Sequence, residues 1–154
     1  MFLVAAELAR QGFTVSLTSR SAKGADLLVT DHACSHAYSV EVKTNGAPAN
    51  FWLLNKGAQS ISSPSHYYVL VNLDEDLNAV EYYVVPSVFV ASNVKVEPTS
   101  KGTWYSIRKS AQFEHFKNHW DYFRGIAGET TQPVARLCEK FFVTGVSIHT
   151  MPSE

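Results

Sequence analysis

Two β-prone runs of matched parity constrain this chain more than anything else in it. They are Gly24 to Thr30 and Ala37 to Lys43, separated by the polar or small residues Asp31 to His36. The pair reads as a β-hairpin. If Thr30 pairs with Ala37, antiparallel geometry sets Asp26 directly opposite Glu41. Directly opposed residues point to the same side, with Cβ atoms roughly 5 Å apart. Lys43, two residues beyond Glu41, joins that side by the period of two. The other face carries Leu27, Val29, Tyr38, Val40 and Val42, which suits a core. Two carboxylates forced together repel, so the arrangement calls for a metal ion between them or a retained proton. A one-residue slip would move Asp26 to the wrong face.

The chain of 154 residues is one domain by length, and its 45% hydrophobic content is enough to bury a core. A single domain over residues 1–145 is expected, with 146–154 as a flexible tail. The formal net charge of −1 neither advertises nor excludes a nucleic-acid partner. Cys34 and Cys138 form no CxxC, so a reduced, cytoplasmic setting is the default expectation. No apolar run reaches transmembrane length, and no membrane partner is expected. The start, Met1 to Glu7, lacks the basic region of a signal peptide.

Residues 1 to about 11 read as a helix closed by Gly12 at the C′ position. It begins at Met1 without a capping residue, so the element is expected to start further upstream. Phe13 to Thr18 alternates as a first strand, and Ser19 to Ala25 is a loop. After the hairpin, Asn45 to Asn50 breaks the chain, and a short helix over Phe51 to Ser60 is expected despite Gly57. His66 to Leu73 is a near-continuous apolar run that suits a strand buried on both faces. Asp74 to Asn78 turns, Ala79 to Val85 returns as a fifth strand, and Pro86 opens a short helix through Val90. Phe113, Phe116, Trp120 and Phe123 mark an amphipathic helix over Ser110 to Arg124. A last helix is expected over Pro133 to Val143. The order is that of a mixed α/β sheet of about five strands flanked by helices.

Helix, strand, loop, Asp-led strand, turn, strand ending Glu41-Val42-Lys43, then helix and strand resembles the PD-(D/E)xK nuclease superfamily, the restriction-endonuclease-like fold. Asp26 stands for the lone aspartate and Glu41-Val42-Lys43 for the (D/E)xK, with Ala25 where the family name has proline. The resemblance covers roughly residues 1 to 90 and implies a Mg²⁺-dependent endonuclease hydrolysing DNA phosphodiester bonds, with Mn²⁺ as a substitute. Asp26, Glu41 and the Val42 carbonyl would hold the metal, whose preference for hard oxygen ligands suits such a set. Lys43 would orient or help deprotonate the attacking water. Many members carry a further carboxylate on the first helix, where Glu7 is the acid here. Relatives also place a polar residue after the (D/E)xK strand, a position held by Lys56 and Gln59. Arg20 and Lys23, in the loop before Asp26, could contact phosphate. A homodimer would let two sites address two strands.

Blander readings stand beside these. An Asp–Glu–Lys cluster on a solvated sheet face is an ordinary salt bridge contributing ~0–1 kcal/mol. Glu7 reads as a solvated residue, Lys56 and Gln59 as an exposed helix face, and Arg20 and Lys23 as a solvated loop. His115 and His119 have a zinc-compatible spacing but no His-Glu-x-x-His, and His32 and His36 flank Cys34 in an exposed turn. Trp52, Trp104 and Trp120 could stack on bases, although aromatics at such spacings usually bury themselves. The alternative function is a catalytically inactive nuclease-fold module that binds nucleic acid or a protein partner.

Overall fold

A computed structural model describes residues 1–19, 24–74 and 79–124 of the chain. In chain order the elements are α1 (Phe2–Arg10), β1 (Thr14–Leu17), β2 (Leu27–Thr30), β3 (Ala37–Asn45), β4 (Phe51–Leu54), β5 (His66–Leu73), β6 (Val80–Pro86), α2 (Ser87–Asn93), β7 (Lys95–Thr99) and β8 (Gly102–Arg108). Single 3₁₀ stretches cover Lys56–Gln59, Ala111–Phe116 and Trp120–Arg124. The protein is mixed α/β. Its main sheet has the strand order β1-β2-β3-β5-β6, and a second sheet has the order β4-β8-β7. In the main sheet β3 and β5 run parallel, and the other neighbours are antiparallel.

Strand parity divides the main sheet into two covered faces. Leu27, Val29, Val40, Val42, Tyr67, Val69 and Val71 meet Val4 and Leu8 of α1 on one side. Tyr68, Leu70, Tyr83 and Val85 meet Trp52, Ile107 and Val90 on the other. Each fully buried Val or Leu contributes about 1.5–3 kcal/mol, so Val4 and Leu8 suffice to dock the short α1. Gly12, with φ +91°, takes the left-handed conformation expected at the helix end. The buried run in β5 lies inside the sheet between β3 and β6, covered on both faces as its apolar continuity predicts.

Two expected helices are corrected. The helix expected over Phe51 to Ser60 is instead strand β4 followed by the 3₁₀ turn Lys56–Gln59. Phe51-Trp52-Leu53-Leu54 alternates exposed and buried, and Trp52 turns inward to donate Nε1–H to the Val71 carbonyl at 3.0 Å. The helix expected over Ser110 to Arg124 is two 3₁₀ stretches broken near Asn118, whose φ is 52°. Phe113 and Phe116 join one core while Trp120 and Phe123 join the other. A straight helix cannot serve opposite faces of one sheet, so the chain crosses the β6 edge. There Asn118 N–H donates to Tyr82 O at 2.9 Å and Lys117 bridges Tyr83.

Hairpin β7–β8 was not anticipated, and with β4 it covers one face of the main sheet where helices were expected. The expected helix over 133–143 and the tail 146–154 lie outside the described residues. Among the described residues, no helix is long and apolar enough to cross a membrane.

Candidate functional site

Strands β2 and β3 pair with Thr30 against Ala37 and Leu27 against Val40, the register expected from sequence. The turn is held by Asp31, whose carboxylate accepts from Ser35 N–H at 2.8 Å and meets His36 Nδ1 at 3.1 Å. Hydrogen bonds from Ser35 and His36 bring the Asp31 carboxyl down to about 2. His36 is thereby committed to the turn.

The ladder ends where the site begins. Asp26 N–H donates to Val40 O at 2.8 Å, and β2 then diverges from β3. The next rung is made by a side chain: Val42 N–H donates to Asp26 Oδ2 at 2.7 Å. Gly24, with φ +87° and Ile61 beside it, supplies the bend that brings the chain into β2 at this point. In an extended strand the N–H and C=O of one residue point the same way. The Val42 carbonyl is therefore directed past the end of β2, alongside the Asp26 carboxylate.

Glu41 lies on the same face and is only 6% exposed. Its Oε1 accepts from Lys43 Nζ at 2.6 Å and from Asn55 Nδ2 at 3.2 Å. Lys43 therefore sets a cation against Glu41, and Asn55 ties Glu41 to the end of β4. These donors offset the charge of the buried Glu41 carboxylate. Among the described residues, no protein donor reaches Asp26 Oδ1 or Glu41 Oε2.

The parallel partner of β3 completes the surroundings. Register sets Ser39 against His66 and Glu41 against Tyr68. His66 is buried, its Nδ1 lies 2.8 Å from Ser39 Oγ, and its ring meets Tyr68 edge-on at 5.2 Å. Among the described residues its Nε2 is buried without a partner. Burial pushes the His66 imidazole below its ordinary value, opposed by the charge of Glu41. Burial, aided by Glu41, pushes the Tyr68 phenol up to about 12. The negative charge of Glu41 thus reaches across to β5.

Of the residues singled out by sequence, Asp26 meets the Val42 N–H and Lys43 pairs with Glu41. Lys56 and Gln59 are exposed on the 3₁₀ turn directly after Asn55. Glu7 is elsewhere. It pairs with Arg10 at 2.7 Å and accepts from Gln11, on the helix packed over the opposite face of the main sheet. Arg20 and Lys23 lie outside the described residues. His119 Nδ1 lies against the His115 carbonyl at 2.9 Å, and its ring stacks on Tyr122. Asn55, His66 and Tyr68 were not singled out by sequence. No local signal marks them, because only the register of β3 against β5 and the turn after β4 bring them to this face.

The donor set fits a hard cation. Two carboxylate oxygens without donors among the described residues and a backbone carbonyl directed past a strand end are all oxygen ligands, the kind Mg²⁺ prefers. No cluster of three or more His, Cys, Asp and Glu suited to a metal occurs among the described residues. An ion held there would draw on Asp26, Glu41 and the Val42 carbonyl, with its remaining ligands from water. Compared with family models, curated proteins and solved structures, the chain matches none of them.

Proposed function

We propose that the protein is a metal-dependent endonuclease of PD-(D/E)xK type acting on DNA. The observation that carries this reading is the end of β2. There the Asp26 carboxylate replaces a ladder rung at Val42, the residue after Glu41, and Lys43 pairs with Glu41. Asp26, Glu41 and the Val42 carbonyl would hold Mg²⁺ or Mn²⁺. The ion would supply Lewis-acid charge at the scissile phosphate and acidify its water. Lys43 Nζ, held by Glu41, would orient the attacking water and offset charge developing on the phosphate. Asn55 fixes the Glu41 carboxylate from the side of β4, limiting its rotamers. Burial of Glu41 keeps bulk water away from one flank of the pair, which strengthens each electrostatic contact.

A second reading, a nuclease-fold module without catalysis, draws on one observation: Glu41 and Lys43 already satisfy each other at 2.6 Å. Cleavage of supercoiled plasmid in Mg²⁺ or Mn²⁺, with Asp26→Ala and Lys43→Ala alongside, separates the two. Nicking by wild type that both variants lose supports the hydrolase. Equal inertness of all three proteins rejects it in favour of the binding module.

A further inference from the structure

The outer face of the second sheet is a row of large side chains that nothing in the site uses. Strand β4 turns Trp52 into the core, which leaves Phe51 and Leu53 outward at 41% and 48% exposure. Strand β8 turns Ile107 inward and sets Trp104 outward at 55% exposure. Register places Phe51 against Arg108 and Leu53 against Ser106, so all of these residues share one face. Across β7, Lys95 stands opposite Ser106 and Glu97 opposite Trp104. Lys95 and Glu97 pair at 2.8 Å, whereas Arg108 has no carboxylate partner among the described residues. Lys109, next to Arg108, turns the other way, 3.7 Å from Glu81 and over the Tyr83 ring, so Arg108 is the cation left on this face without a carboxylate among the described residues.

We propose that this face binds single-stranded DNA, with Trp104 and Phe51 stacking on bases and Arg108 meeting the backbone. Aromatic rings spaced along an open sheet and interleaved with polar and cationic groups suit unpaired bases, since every base offers a π-face. Trp104 and Arg108 are four residues apart on one strand, roughly 13 Å. Phe51 lies beside Arg108, so its ring and that of Trp104 would engage bases that are not adjacent. The Arg108 guanidinium supplies a charge complementary to a phosphate. A second copy of this chain fits the face less well, because Ser106, Lys95 and Arg108 separate its apolar side chains, whereas homodimer interfaces are more apolar and depleted of charge at their core. Continuity runs toward the candidate site: β4 leads directly from Leu53 to Asn55, whose amide holds Glu41. The choice of DNA over RNA rests on the hydrolase reading, whereas the stacking face does not.

Trp104 is also its own probe. Trp52 and Trp120 are buried at 0% and 5% exposure, so quenching by added bases reports on Trp104. Oligothymidylate titrated in EDTA should quench tryptophan emission, and anisotropy of a labelled oligonucleotide should give the same Kd. Trp104→Ala should weaken binding about ten-fold, as expected for one lost stack. Arg108→Ala should weaken it and lower the salt dependence by about one phosphate's worth. Binding unchanged in both variants, or absent in wild type, overturns the proposal. Tighter binding of oligouridylate overturns the choice of DNA. A concentration-dependent dimer that Trp104→Ala abolishes, with no quenching by oligonucleotide, assigns the face to a second copy instead. Because binding is read without metal, a protein that binds but never cuts sustains this inference and sinks the hydrolase.

Discussion

Asp26 does two things that different substitutions pull apart. Its Oδ2 accepts the Val42 N–H at 2.7 Å, while its charge stands across from Glu41. Asp26→Ala removes both functions. A hydrogen bond to a charged acceptor contributes roughly 1.5–3 kcal/mol, and Val42 is buried, so its amide is poorly placed to find water instead. A loss of about 2 kcal/mol in a chain of this size lowers Tm by roughly 4–8 °C. Asp26→Asn keeps a neutral acceptor and should lose about half as much. Calorimetry in EDTA reads this difference without any metal. Repeating it in Mg²⁺ reads the charge. At ten times its Kd the ion would stabilise wild type by about 1.4 kcal/mol, and neither variant should gain. Equal Tm values for Ala and Asn in EDTA would refute the side-chain rung. A retained Mg²⁺ shift in either variant refutes Asp26 as a ligand.

Trp52→Ala should cost about 3–5 kcal/mol in urea unfolding, through the cavity and the orphaned Val71 carbonyl. Loss below 1 kcal/mol would show that the second sheet is not anchored there. His66 has a folded-state value depressed by burial, so the unfolded chain takes up its proton first as pH falls. The stability this contributes is complete above the ordinary imidazole value of 6.5 and is lost as pH drops through it toward the lowered folded value. His66→Gln should remove that part of the decline as pH falls below the ordinary imidazole value of 6.5. Identical slopes in urea midpoints for the two proteins would contradict a neutral buried imidazole. Gly24→Ala meets only ordinary contact with Ile61 at 3.5 Å but must hold φ +87°. It should cost roughly 1–2 kcal/mol, and a neutral outcome would mean that the bend into β2 is soft.

The hairpin and its register were legible because both strands lie close together in the chain and share one parity. Strand β5 was legible because burial on both faces leaves an unbroken apolar run. The second sheet was not, since Phe51 finds its partner only at Arg108, far along the chain. Read alone, Phe51 to Leu54 offers too few turns of pattern to separate strand from helix. The aromatic spacing from Phe113 to Phe123 correctly marked buried rings, but spacing carries no information on which side of the sheet each ring serves. In the candidate site, Asp26, Glu41 and Lys43 follow from local alternation. Asn55, His66 and Tyr68 arrive through long-range pairing, which no short window of sequence encodes.

That division has a consequence for how the molecule assembles. Asp26 and Val42 are sixteen residues apart, whereas the hydrogen bond from Ser39 to His66 spans twenty-seven and the β4–β8 ladder spans more. Loop closure favours the shorter span, so the carboxylates meet on a two-stranded ribbon before anything covers them. During that interval the charged pair faces water, where its repulsion is weak. Only when β5, and then the second sheet, close over Glu41 does the local dielectric fall and the repulsion sharpen. The chain thus brings its like charges together while water still screens them, and Lys43, from the same hairpin, is in place before the cover arrives.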